Sequence, residues 1–168
     1  MKNYFLLLLL CTIGVSAQDG RLIPNPIRKI PKWVRTEWMA RHLDERYAIL
    51  YKLYPVYLKG DFNGDGRRDV AVQVQEIQSG KIGLAIFHAK KPQAAFLHME
   101  IVGAGKTIGK AGDNLKNTGI WTVYPRRGGS GGEAVNSLLT GDAIELKQSD
   151  GKSGLVFWNG KQYAWQWE

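Results

Sequence analysis

Oxygen-bearing side chains stand at every second position of the run Asp61-Phe62-Asn63-Gly64-Asp65, and another carboxylate returns at Asp69. That spacing suits calcium, a hard cation that takes six to eight oxygen ligands. Alternate side chains of a tightly wound loop converge on one centre, Gly66 permits the sharp reversal, and the Arg67 carbonyl falls where such loops contribute a main-chain oxygen. The expected ligands of a Ca2+ ion are therefore Asp61, Asn63, Asp65, the backbone carbonyl of Arg67, and Asp69, with water completing the shell. The competing reading is a polar hairpin turn, for which Asp, Asn and Gly are also the preferred residues. Strict alternation, with Gly at the sixth place and Asp at the ninth, favours the metal. The ion's expected role is structural, because it neutralises converging carboxylates and its binding energy is folding energy.

The residues after Asp69 separate this loop from other calcium loops. An EF-hand needs a bidentate Glu at its twelfth position, which here is Val72. Dockerin-type loops lead into a helix, whereas Val70-Ala71-Val72-Gln73-Val74-Gln75 alternates with period two and is rich in β-branched residues, so this loop feeds a strand. The segments Gly60-Asp61-Phe62-Asn63-Gly64-Asp65-Gly66 and Asp69-Val70-Ala71-Val72 resemble the calcium loop of FG-GAP and VCBS-type repeats, found in integrin heads and many secreted bacterial proteins. The specific match covers roughly a dozen residues. Together with Gly141-Asp142-Ala143-Ile144 and the terminal Ser153-Gly154-Leu155-Val156-Phe157-Trp158-Asn159-Gly160 run, the chain is similar to small secreted bacterial proteins. That similarity implies no catalytic residues.

Other residues invite weaker readings. Arg126 and Arg127 flank a glycine-rich stretch at 128–132 and offer two cations to an anionic group, while Trp121 and Trp165 are aromatic platforms of the kind that bind polysaccharide. His88 and His98 fall on neighbouring expected strands, either as a metal pair or as ordinary strand histidines. The Gly105-Lys106-Thr107 run lacks the earlier Gly of a phosphate-binding loop, since Glu100 stands there. The chain has no His-Glu-x-x-His zinc helix. A non-catalytic binding module is expected. The alternative is a hydrolase of envelope polymers, with a carboxylate pair such as Asp113 and Glu133 as acid and base.

Periodicity and composition set out the elements that carry these residues. Residues 1–17 read as a secretory signal peptide: Lys2 is the only charge in the first eighteen residues, and an apolar run ends in Val15-Ser16-Ala17. The run is too short for a transmembrane anchor, which needs about 20 apolar residues. Cleavage after Ala17 removes Cys11, the one cysteine, and leaves 22 basic against 15 acidic residues, about +7. A secreted basic protein meets envelope protein or polysaccharide rather than nucleic acid, in the periplasm or outside the cell; a periplasmic inhibitor or immunity protein is one version of this reading. Residues 18–31, with three prolines, form an extended basic arm, and 32–168 a single calcium-loop domain. Within it, Val34, Trp38, Met39 and Leu43 predict an amphipathic helix over 32–46. Strands are expected over 47–62 with a break at Pro55, then over 70–77, 82–89, 95–102, 119–124, 141–147, 153–158 and 161–167. Asn159-Gly160 predicts a two-residue hairpin placing Trp158 opposite Lys161. The expected fold is mainly β: an antiparallel meander with one N-terminal helix and the calcium loop between two strands.

Overall fold

The computed structural model describes residues 26–90, 97–126 and 136–167. Among the described residues the fold is mainly β, with one complete α-helix and two antiparallel sheets. After a 3-10 turn at Pro26–Lys29 comes α1, Lys32–Ala40. The helix is shorter than its apolar pattern predicts. His42 takes a left-handed conformation (φ 52°) and a 3-10 turn, Leu43–Glu45, replaces the last helical turn. Glu37 and Arg41 form an i,i+4 ion pair at 3.1 Å. The inward residues Val34 and Trp38 are buried, while Met39 is exposed.

The first sheet comprises β1 (Tyr47–Ile49), β2 (Leu58–Gly60), β3 (Asp69–Glu76), β4 (Ile82–Phe87) and β5 (Met99–Gly103). β1 and β2 pair with opposite ends of the same edge of β3, and the chain between them leaves the sheet around the cis Tyr54–Pro55 bond. The second sheet is a meander of β6 (Thr118–Tyr124), β7 (Ala143–Gln148), β8 (Ser153–Trp158) and β9 (Tyr163–Trp167). The single meander that strand alternation suggested is thus divided in two, because β5 and β6 do not pair.

Two of three apolar layers cover β3 and β4, one on each face. Even-numbered residues of β3, Val70, Val72 and Val74, pack with Ala85 and Phe87 under Val34 and Trp38 of the helix. Trp38 meets Phe87 at 6.5 Å between ring centroids. The opposite face contributes Ala71, Leu84 and Ile86 to a core shared with Ile144, Leu146, Val156 and Tyr163 of the second sheet. A smaller cluster of Tyr124, Leu139, Ala143, Leu155 and Phe157 covers the outer face of that sheet.

Two local details correct the sequence reading. The β8–β9 connection has four residues, 159–162, so Trp158 pairs with Tyr163 and not with Lys161. The Asn159 side chain sets this length: its Oδ1 accepts from the amides of Lys161 and Gln162, both at 3.0 Å, which a two-residue turn does not allow. Val156, Trp158 and Tyr163 share one face of the sheet, and Lys161 lies in the turn. Trp121, read as a binding aromatic, is a core residue whose Nε1 donates to the Pro55 carbonyl at 2.8 Å.

Phe62 ties the loop to the inter-sheet core, where it is fully buried. Phe62→Ala should lower stability by about 3–5 kcal/mol, as large aromatic-to-Ala changes in cores do. Urea unfolding checks this, and a loss below about 1 kcal/mol would mean that the loop is not anchored through this ring.

Candidate functional site

The loop at residues 61–69 is wound by its own side chains. Asp61 Oδ1 accepts from the Asp65 amide at 2.9 Å, and its Oδ2 from the Gly66 amide at 2.9 Å. Asn63 Oδ1 accepts from the Asp65 amide and Asp65 Oδ1 from the Arg67 amide, both at 3.0 Å. The side chains at places one, three and five therefore fold back over the loop, and all three are half-buried. Gly64 and Gly66 adopt the left-handed conformations this winding needs, with φ of 77° and 83°. A carboxylate or amide oxygen has two lone pairs, so it can accept from an amide and still ligate a cation. The Arg67 carbonyl accepts no hydrogen bond from the described residues.

Asp69 is fully buried. Its Oδ2 accepts from the amides of Phe62 (3.0 Å) and Asn63 (3.3 Å), and its Oδ1 from the amide of Ala89 (2.7 Å). A carboxylate has about four lone-pair sites, so three amides leave about one for a further partner. Burial pushes Asp69 up to about 7, against the three amides that favour its charged form, and the nearby Asp65 carboxylate pushes in the same direction as burial. No basic side chain among the described residues forms an ion pair with Asp61 or Asp69. The mutual repulsion of Asp65 and Asp69 is the feature here that a cation would offset. Among the described residues no group of three or more His, Cys, Asp or Glu side chains is already placed to hold a metal ion. The donor set also includes Asn63 and a main-chain carbonyl.

The second sheet supplies the loop's dock. The Asp61 amide donates to Asp142 Oδ2 at 3.0 Å, and the Asp142 amide donates back to the Asp61 carbonyl at 2.7 Å. Asp142 Oδ1 also accepts from the Arg126 amide at 3.2 Å, and Arg126 Nη1 donates to the Thr140 carbonyl at 2.8 Å. The approach is close enough that a Cβ on Gly141 would stand 2.2 Å from the Asp61 carbonyl oxygen and 2.5 Å from the Gly64 nitrogen. Arg126 is thus partly engaged in holding this seam. Arg127 and Glu133 lie outside the described residues, and Asp113 is ion-paired with Lys81.

Beside the loop lies a cluster that strand patterning only half revealed. His88 and His98 do become neighbours: the His88 amide donates to the His98 carbonyl at 2.9 Å and their rings stack at 4.8 Å. Their Nε2 atoms have separate partners, the Tyr163 hydroxyl at 2.7 Å and Glu100 Oε1 at 3.0 Å. Trp158 packs edge-on against both imidazoles and against Tyr163. Tyr163 comes from the other sheet, and its inward place on β9 is the one signal that could have joined it to His88. Burial, with the carboxylates of Asp69, Glu100 and Asp61 nearby, raises the Tyr163 hydroxyl far above its ordinary range. Trp165 is half-buried against the inter-sheet core.

The chain matches no family model, no curated protein and no solved structure.

Two outcomes test the site's construction. Asp69→Ala strands the amides of Phe62, Asn63 and Ala89, and at about 1–3 kcal/mol for each buried unpaired group the loss should exceed about 3 kcal/mol; a loss under about 1 kcal/mol in chemical denaturation would contradict the clamp. His88 gives a pH dependence. Burial first, and then His98, lower its imidazole from 6.5 to about 4. The unfolded chain therefore takes up this proton at higher pH than the folded one. Its contribution is fully present above the unfolded pKa and lost as pH falls from about 6.5 to about 4, on the order of 3 kcal/mol. The stability gap between wild type and His88→Phe should narrow across that window, and a pH-independent gap would show that His88 does not titrate this way.

Proposed function

We propose that this protein is a secreted, non-catalytic binding module whose loop at residues 61–69 holds a structural Ca2+ ion. The observation that carries the reading is the winding of the loop, with side-chain oxygens at 61, 63 and 65 folded back onto amides at 65, 66 and 67. Asp61, Asn63, Asp65 and the Arg67 carbonyl would hold the ion, with the remaining acceptor site of Asp69. A bound divalent cation supplies positive charge among the converging carboxylates. The chain's own residues do the rest: Asp69 fixes the loop's base to the start of the β4–β5 connection, and Asp142 fixes its rim to the second sheet. Binding there would stiffen the junction of the two sheets.

Secretion rests on the signal-peptide pattern of residues 1–17, which lie outside the described residues. Among the described residues no helix is long and apolar enough to cross a membrane. The net charge of about +7 after cleavage favours an acidic or polar envelope partner, protein or polysaccharide.

The test is thermal. With a dissociation constant of about 10⁻⁴ M, millimolar calcium should stabilise the fold by about 1.4 kcal/mol relative to chelator, seen as a raised Tm. Asp65→Ala should abolish most of that rise. An equal response in the variant would refute this loop as the site.

A further inference from the structure

We infer that the outer edge of β5 is a strand-addition site for an extended peptide from another protein. The pairing pattern shows which backbone groups are free there. The amide of His88 donates to the His98 carbonyl and the amide of Ala104 to the Ile82 carbonyl, in a register that also opposes Glu100 to Ile86 and Val102 to Leu84. In an antiparallel ladder, hydrogen-bonded and non-hydrogen-bonded pairs alternate. Residues 98, 100, 102 and 104 therefore direct their amides and carbonyls at β4, and residues 99, 101 and 103 direct theirs away. Gly103 confirms the parity, because its carbonyl accepts from Lys106 on the outer side. The amides and carbonyls of Met99 and Ile101, four groups in all, find no partner among the described residues. Ile101 is nonetheless only 6% exposed. Unpaired backbone groups on so sheltered a residue are uncommon, and a second strand satisfies them completely.

The space beside this edge has the form of a strand. A cleft of about 390 Å³ is lined by residues 99–102, 106–109 and 162–165. A cleft over a sheet face would meet alternate residues of a strand, since side chains alternate with period two. Consecutive residues on both β5 and the start of β9 mean that the cleft runs along strand edges, between the ends of the two sheets. Four residues of edge span about 13 Å, enough to pair with a peptide of about four or five residues. The occupant is a single extended segment and not a second copy. Residues 106–109 and 162–165 line the side of the cleft that faces β5, and a second β5 would bring its own copy of those segments with it. The cleft is lined by Glu100, Lys106, Thr107 and Gln162 as well as by Ala164 and Trp165, so affinity would come chiefly from main-chain hydrogen bonds.

This inference supplies a site for the binding role proposed above and rests on that role only for its purpose; the edge does not depend on calcium. Amide hydrogen exchange on the full protein tests it, with an acetylated, amidated hexapeptide of alternating threonine and valine at millimolar concentration as probe, in chelator and in calcium. The Met99 and Ile101 amides should exchange fast without peptide and slow by about tenfold or more with it. The same peptide N-methylated at every residue, which cannot donate to the carbonyls, should give no protection. Met99→Pro removes an outward amide that β4 does not use, and should abolish protection at Ile101 while amides of the β3–β4 ladder stay protected. The proposal is overturned by unchanged Met99 and Ile101 exchange, by equal protection from the methylated peptide, or by protection that rises with protein concentration alone. Should Met99→Pro unfold the chain, the two peptides on the wild type still decide. Peptide protection without a calcium-dependent Tm would fail the calcium reading alone; the reverse would fail this one alone.

Discussion

The buried carboxylate of Asp69 governs how the two halves of this molecule are put together. It opens β3 and at once holds three amides from two distant places, Phe62 and Asn63 at the base of the loop and Ala89 after β4. An anion taken out of water needs such donors, because leaving it unpaired costs several kcal/mol. Once Asp69 is fixed, Phe62 is delivered to the inter-sheet core and the loop has a defined starting point. Asp142 then completes the other side. Its reciprocal bonds with Asp61 join the loop to the segment leading into β7, so one short polar turn touches both sheets.

The sheets themselves need such a junction. Neither is closed, and no strand is shared between them. They are held by side-chain packing across one apolar layer and by a few polar ties, of which the Asp61–Asp142 pair, the Trp121–Pro55 bond and the His88–Tyr163 bond each join the first-sheet half of the chain to the second. The His88–Tyr163 tie keeps a neutral imidazole inside the protein, and the Asp61–Asp142 tie sets the loop against the second sheet. A divalent ion in the loop would offset the repulsion of Asp65 and Asp69 close to where the sheets meet, a structural role.

The parts that sequence revealed are those fixed by local chemistry. The alternation Asp61, Asn63, Asp65 announces a loop that bonds to its own backbone, and the period-two run of β-branched residues Val70, Val72 and Val74 announces β3. Val34 and Trp38 mark the buried stripe of the helix. What escaped depends on contacts between segments far apart. Nothing in the run around Trp121 says that its indole meets Pro55, and nothing around Asp142 says that it receives the Asp61 amide. Asn159-Gly160 signalled a hairpin, but the reach of the Asn159 side chain to two later amides lengthened the turn. Alternation gives a strand and its faces; it does not say where one sheet ends and another begins, because β5 and β6 differ from paired neighbours only in what lies between them.

In the function proposed here the loop clips the two sheets together and a cation tightens the clip. Hydrogen exchange at the Asp142 amide, whose bond to the Asp61 carbonyl crosses that junction, reads the clip itself when compared in chelator and in calcium. Exchange at Asp142 should slow in calcium together with exchange at the loop amides of Asp65 and Gly66. Protection confined to the loop, with Asp142 unchanged, would contradict the clip and reduce the metal to a local feature of one turn.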